Sequence, residues 1–250
     1  MTIEETLDVR TPDGVADSRL YREGDGRPRP AVIHLTDIRG IRDSQRQMAE
    51  RLVARGYVVL IPNVFYRTGR PPLWDVAPDF RDERTMNRFA QLTRALTGEA
   101  MERDMGAYAD FLAGQPAVAK GAIGVVGYCF TGKMALHGAA VRPAAIAAAA
   151  SFHGGGLVDD TPSSPHLVLP RITKTRLYFG HAVDDRSMPA EAVRRLERAL
   201  ADWGGTYESE TYDGAHHGWT MPDHAAFNPS QADRAFGKLT ALLEAALPRP

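Results

Sequence analysis

The sequence predicts an α/β fold in which helices cover both faces of a mostly parallel sheet. Two observations support this fold class: short apolar runs alternate with helix-like segments, and strand, helix and strand follow at the spacing of a βαβ unit. The length of 250 residues suits one such domain, and a hydrophobic fraction of 44% is ordinary for a chain with a sizeable core. We therefore interpret residues 1–250 as a single domain.

The first strands are predicted from turn residues and apolar runs. Residues 5–22 are typical of a β-hairpin whose turn is Thr11-Pro12-Asp13-Gly14. A strand, a helix that ends at Gly56 and a second strand follow at 31–35, 48–55 and 57–61. This spacing predicts a right-handed connection between two parallel strands.

Residues 63–98 interrupt the alternation of strands and helices. They carry three prolines, many charges and Trp74, and they show no clear periodicity. A segment of this length is often a functional lid or excursion, which is our interpretation here.

The second half of the chain returns to regular alternation. Pro189 is well placed in the first turn of a helix, and Gly204 is suited to end it. The predicted helices are 99–113, 189–203 and 233–247, and the predicted strands are 120–126, 144–152, 176–179 and 206–212.

Composition excludes several classes of function. A formal net charge of −1 gives no basis for binding nucleic acid or an anionic membrane surface. No apolar stretch approaches the ~18 residues of a membrane span, and the acidic N-terminal segment lacks the apolar core of a secretory signal. A single cysteine excludes an internal disulfide and a multi-cysteine metal site. We expect a soluble cytoplasmic protein without a metal.

That single cysteine lies in the most informative motif of the chain. Cys129 occupies Gly127-Tyr128-Cys129-Phe130-Thr131-Gly132, between an apolar run and a helix-like segment. Strand, cramped turn and helix match the nucleophile elbow of α/β-hydrolases, with cysteine in place of the usual serine. The flanking glycines suit a strained turn at which strand and helix approach closely. The following helix N-terminus favours negative charge on the nucleophile.

A thiol nucleophile needs a base, and the base needs an acid that orients it. Two candidate acids, Asp184 and Asp185, follow the strand at 176–179, and two candidate bases, His216 and His217, follow the strand at 206–212. Both loops come at the carboxyl ends of predicted parallel strands, where open α/β sheets place their sites. The order of nucleophile, acid and histidine is that of the α/β-hydrolases.

Several spaced motifs together resemble the dienelactone hydrolase family. The elbow is similar to the family's Gly-Tyr-Cys-x-Gly-Gly, and Ser151-Phe152-His153-Gly154-Gly155 is also typical. Asp185-Arg-Ser-Met-Pro189 looks like the family's acid loop, which favours Asp185 over Asp184. His217-Gly218-Trp219 looks like its base loop, which favours His217 over His216. The resemblance runs from about residue 5 to residue 247.

The resemblance implies an α/β-hydrolase fold with about eight strands and hydrolysis of esters or lactones without a cofactor. Cys129 would attack the acyl carbon to form a thioester, His217 would act as base and Asp185 would orient it. The backbone N–H groups of Ile38 and Phe130 would form the oxyanion hole, in which one donor supplies roughly 3 kcal/mol.

The chain departs from the family pattern at the loop that carries Ile38. Asp37 stands where the family typically has a glutamate that contacts the resting thiol and takes part in activation. Its side chain is one methylene shorter, so Asp37 is either an activating residue or an anchor for its own loop.

A second departure concerns the substrate. The family holds the substrate carboxylate with arginines, one of them four residues after the histidine, where this chain has Met221. Arg84 and Arg88 are candidates for the other arginine. Because a bidentate carboxylate contact is lost, we expect a preference for neutral substrates. Possible apolar lining residues are Trp74, Phe152, Trp219 and Met221.

Three functions are compatible with these motifs. The favoured one is a cysteine-dependent esterase or lactonase that acts on a small-molecule substrate as a monomer or homodimer. The same triad also suits an acyltransferase or thioesterase, because other nucleophiles can intercept an acyl-enzyme. The third is a catalytically silent binding or redox-sensing protein, since fold alone does not establish function. The presence of Cys129, Asp185 and His217 together favours the enzyme.

Overall fold

A computed structural model describes residues 1–247 and places eight strands in one sheet. The strands are β1 (Thr2–Thr11), β2 (Gly14–Glu23), β3 (Ala31–Leu35), β4 (Val58–Pro62), β5 (Ile123–Tyr128), β6 (Ile146–Phe152), β7 (Arg176–Ala182) and β8 (Tyr207–Tyr212). The α-helices are α1 (Asp43–Val53), α2 (Glu83–Thr93), α3 (Gly98–Ala113), α4 (Gly132–Val141), α5 (Ala190–Trp203) and α6 (Pro229–Ala246).

The sheet has the order β1-β2-β4-β3-β5-β6-β7-β8. The β1–β2 and β2–β4 pairs are antiparallel, and every pair from β4–β3 to β7–β8 is parallel. The predicted α/β-hydrolase fold, with about eight mostly parallel strands, is therefore confirmed.

The apolar runs form the central strands because both faces of the sheet are covered. Along β4, Val58 and Leu60 enter one buried cluster, whereas Val59 and Ile61 enter the other. Helices α3, α4 and α5 contribute to the first cluster, and α1 and α6 to the second. A strand buried on both faces reads as a continuous apolar run, which explains why these segments were predictable.

Two segments differ from the sequence expectations. Residues 63–98 contain helix α2, which was not predicted, and residues 165–171 form a 3₁₀ helix. Helix α2 buries only Thr85 and Leu92, but Met86, Phe89 and Ala90 recur at helical spacing. The charges and prolines around this short pattern concealed it in the sequence. Whether 63–98 acts as a lid stays a prediction.

Among the described residues, none of the helices has the length and apolar character needed to cross a membrane.

Candidate active site

The turn after β5 holds Cys129 in a left-handed backbone conformation, with φ of 57°. Residues 129–131 form one 3₁₀ turn, and α4 begins at Gly132. A Cβ atom on Gly127 would lie 2.3 Å from the Thr131 carbonyl oxygen, and one on Gly132 would lie 2.3 Å from Ser151 Oγ. Glycine is therefore required on both sides of Cys129, as the elbow motif predicts.

Asp185 and His217 meet at the carboxyl edge of the sheet. His217 Nδ1 lies 2.7 Å from Asp185 Oδ2, and the Asp185 side chain is only 3% exposed. Ser187 donates two hydrogen bonds to Asp185 Oδ1, from its backbone N–H at 2.8 Å and its hydroxyl at 2.7 Å. Because both carboxylate oxygens are engaged, the orientation of the carboxylate toward the imidazole is fixed.

The electrostatics of His217 couple it to Cys129. Burial alone would lower the pKa of the imidazole, but the charge on Cys129, the hydrogen bond to Asp185 and the charge of Asp185 raise the pKa of His217 to about 10. Burial acts to raise the pKa of Asp185, yet its hydrogen bond to His217 and the bonds from Ser187 hold that pKa below its usual value. The arrangement therefore favours the protonated form of the His217 imidazole.

Asp184 and His216, the alternative acid and base, lie apart from Asp185 and His217. Asp184 is exposed, with φ of 51°, and His216 is exposed on its loop. Neither residue enters the hydrogen-bonded group described above, which contains Asp185 and His217.

His153 is a neighbour of Cys129 whose contact was not predicted. The backbone N–H of Cys129 donates to His153 Nδ1 at 3.2 Å, and His153 Nε2 lies 2.8 Å from Thr220 Oγ1. The only signal in the sequence was its position in the Ser-Phe-His-Gly-Gly motif, which gives no information about contacts.

Ile38 and Phe130 lie on two loops at the same edge of the sheet. The N–H of Ile38 has no acceptor among residues 1–247. The carbonyl of Ile38 accepts a hydrogen bond from Trp74 Nε1 at 2.9 Å, so the 63–98 segment is tied to this loop. Phe130 is buried, and its ring packs edge-on against Phe89 at 6.0 Å.

Asp37 contacts its own loop and a nearby arginine. Its Oδ1 atom accepts from the Arg39 backbone N–H at 3.0 Å, and the guanidinium of Arg42 binds both carboxylate oxygens at 2.6 and 2.9 Å. These contacts match the anchoring alternative for Asp37, and thiol activation stays a prediction.

The predicted substrate-binding side chains are dispersed. Arg84 is exposed on α2, and Arg88 donates to the Leu73 carbonyl at 3.3 Å. Trp219 and Met221 have no exposed surface and belong to the buried cluster that also contains Phe152. The expectation that Trp219 and Met221 line a substrate pocket is therefore wrong in this structure, because neither offers surface to a ligand.

The loop after β8 explains this burial. Trp219 packs against the rings of His153 and Tyr212, at centroid distances of 5.0 and 4.9 Å. The sulfur of Met221 accepts a hydrogen bond from Gln45 Nε2 at 3.1 Å. Both side chains therefore anchor the loop of His217 to the buried core.

Comparisons with known proteins match most of the chain to one family. The model of the dienelactone hydrolase family matches residues 17–247. Carboxymethylenebutenolidase of Rhodococcus opacus is 29% identical over 86% of this chain and 81% of its own length. The enzyme of the same name from Pseudomonas putida is 26% identical over 92% of both chains. A dienelactone hydrolase-like promiscuous phosphotriesterase from metagenomic libraries superposes with a TM-score of 0.76, at 20% identity over 98% of both chains, which shows the fold alone.

Proposed function

The chain belongs to the dienelactone hydrolase family of ester and lactone hydrolases, and we propose that it acts through a Cys129–His217–Asp185 triad and a thioester acyl-enzyme. The observation that carries this proposal is the 2.7 Å hydrogen bond between Asp185 and His217, in a site where the charge of Cys129 at the elbow acts on the same imidazole. The three residues supply a nucleophile, a base and an orienting acid, which covalent acyl transfer requires.

The first half-reaction forms the thioester. His217 holds the proton of the Cys129 thiol, and the thiolate sulfur adds to the acyl carbon of the substrate. When the C–O bond breaks, His217 gives this proton to the departing oxygen. In a lactone that oxygen remains tethered to the acyl group.

The second half-reaction releases the acid. His217 removes a proton from water, and the hydroxide adds to the thioester carbon. The C–S bond then breaks and regenerates the thiolate. Asp185 keeps the imidazole oriented in both steps.

The N–H groups of Ile38 and Phe130 are the proposed oxyanion donors. The N–H of Cys129 does not take this role because it donates to His153. The free N–H of Ile38 supports the assignment, since an oxyanion donor must be unpaired before charge develops.

We propose a neutral, partly apolar small ester or lactone as substrate. From Phe130 a row of aromatic rings continues through Phe89 and Phe80 to Trp74, with successive centroids 6.0, 6.1 and 6.4 Å apart. Phe80 is 44% exposed, so this row has surface for an apolar group. Met221 supplies neither charge nor surface at the position of the family's arginine. The oligomeric state, monomer or homodimer, stays a prediction.

The test compares a neutral aryl ester with a dienelactone, before and after alkylation of Cys129. Because the chain has one cysteine, alkylation modifies a single thiol. We expect activity to disappear on alkylation and in Cys129→Ala, with the circular dichroism spectrum of the variant unchanged. Hydrolysis that survives both treatments would exclude Cys129 as the nucleophile. Adding an alcohol acceptor separates hydrolysis from acyl transfer.

A further inference from the structure

The register of two neighbouring strands brings Cys129 beside His153. In the parallel pair β5–β6, Tyr128 lies opposite Phe152, so the residues that follow them leave the sheet side by side. Both residues adopt positive φ, 57° for Cys129 and 41° for His153. Non-glycine residues rarely do so, and such strain persists only where surrounding contacts enforce it.

The hydrogen bonds of His153 define its chemical form. Since the backbone N–H of Cys129 can only donate, Nδ1 must be an unprotonated acceptor, and the ring proton therefore lies on Nε2. Nε2 then donates to Thr220 Oγ1 at 2.8 Å. The backbone N–H of His153 donates to the Gly180 carbonyl at 2.7 Å, which anchors the residue to β7.

These bonds link the nucleophile loop to the base loop. Thr220 lies three residues after His217 in the sequence. The ring of His153 also packs edge-on against His217, with centroids 5.1 Å apart. One side chain thus contacts the elbow, the base and the segment that carries the base.

We propose that His153 is a positioning residue, which holds the N–H of Cys129 and the loop of His217 at the separation needed for the thiolate–imidazolium pair. This inference rests on the proposed triad. A protonated His153 would offer no acceptor to Cys129 and would place a second positive charge beside His217.

The surroundings of His153 keep its ring neutral. It is 1% exposed, and burial together with the positive charge of His217 holds the pKa of His153 well below its usual value. Asp185 opposes this shift and His224 adds to it, while the other rings that face His153 are those of Trp219 and Tyr128, which carry no charge. Of His153 and His217, whose rings pack together, only His217 can therefore take the thiol proton near neutral pH.

The test replaces His153, whose Nδ1 is the acceptor, with residues that tolerate its positive φ. Glycine and asparagine both tolerate positive φ, but only the asparagine side chain can accept a hydrogen bond from Cys129. For His153→Gly we expect kcat to fall by about 10- to 100-fold, since small misplacements of reacting groups cost this much. The pH midpoint for alkylation of Cys129 by iodoacetamide should rise by about one unit, because His217 is no longer held in place beside the thiol.

Three further variants complete the experiment. His153→Asn should recover kcat to within about threefold, because it restores the acceptor. Thr220→Val, which leaves the backbone of His153 untouched, should shift the alkylation midpoint upward by a smaller amount. His181→Asn is the matched control: His181 is also buried at the end of a neighbouring strand, and its Nε2 lies 3.2 Å from Ser209 Oγ. That variant should keep the wild-type midpoint.

The proposal is overturned if His153→Gly keeps the wild-type kcat and midpoint, or if His153→Asn is no better than His153→Gly. Because alkylation needs no substrate, this result is independent of the substrate assignment. If the wild-type protein hydrolyses no ester, the proposed function fails while the midpoints still report on the contact of His153 with Cys129.

Discussion

Arg42 binds both carboxylate oxygens of Asp37, at 2.6 and 2.9 Å, in a pair whose Asp37 side chain is only 6% exposed. The same guanidinium reaches Asp223 through Nε at 2.7 Å. A planar guanidinium can serve two carboxylates at once, which an ammonium cannot do with the same geometry. Arg42 therefore ties the loop of Ile38 to the loop that follows His217.

We predict that Arg42→Lys lowers kcat by about tenfold and changes KM by less than about twofold. Lysine cannot keep both carboxylates in place, so the Ile38 loop loosens, and an oxyanion donor acts mainly in the transition state. Steady-state kinetics on a neutral aryl ester check this. Arg46→Lys, in a half-buried pair with Glu50 on α1, is the control and should behave as wild type. A rise in KM at constant kcat would contradict the prediction.

The ion pair between Arg42 and Asp223 makes the stability of the protein depend on pH. Burial opposes the shift, but the hydrogen bond from Arg42 lowers the pKa of Asp223 to about 2. A carboxylate whose pKa is lower in the folded state contributes stability above the unfolded pKa of ~4, and loses it as pH falls toward about 2.

We therefore predict that Asp223→Asn destabilises the protein near pH 7, by about 1 kcal/mol after allowing for partial exposure. The difference from wild type should shrink between pH 4 and pH 3. Urea unfolding across this range measures it. A difference that stays constant with pH would mean that the lost contact is not the ion pair with Arg42.

The two adjacent histidines provide a matched pair. We predict that His217→Ala lowers kcat by about 10³-fold, because a general base contributes about 10²- to 10⁴-fold. His216→Ala should stay within about twofold of wild type, since His216 is exposed and lies outside the hydrogen-bonded group. Turnover of an aryl ester measures both, and equal losses would exclude the assignment of His217 as the base.

Substitutions of Met221 test whether this residue lines the substrate site. The family pattern by itself suggests that Met221→Arg would improve turnover of carboxylate-bearing lactones, but the burial of Met221 reverses that expectation. We predict a loss of about 3 kcal/mol or more in unfolding free energy, because a guanidinium would be desolvated there. Met221→Leu should cost less than about 1.5 kcal/mol. A stable Met221→Arg variant with higher kcat/KM on anionic lactones would show that the loop opens to solvent.

Local patterns were sufficient for most secondary structure. The strand at 31–35 matches β3, and the predicted helices at 99–113 and 189–203 differ from α3 and α5 by one residue. These segments bury broad apolar surfaces, which leave a periodic signal in the sequence. Helix α2 was missed because its short apolar pattern lies among charged residues in a proline-rich segment.

Contacts between distant parts of the chain were not predictable in the same way. The hydrogen bond from Cys129 to His153 depends on the register of β5 against β6, and no local pattern encodes that register. The burial of Trp219 and Met221 depends on how the base loop folds back over α1 and the sheet. A tryptophan or a methionine in a loop can equally line a pocket or fill a core.

The sequence by itself determined the α/β fold, the elbow at Cys129 and the two loops that supply an acid and a histidine. These follow from apolar runs, glycine spacing and chain order, which are local properties. Only the tertiary structure decided which of the adjacent residues meet, that Asp37 pairs with Arg42, and that His153 joins the elbow to the base loop. The physical reason is that hydrogen-bond partners are selected by distance in space, which sheet register and loop packing determine together.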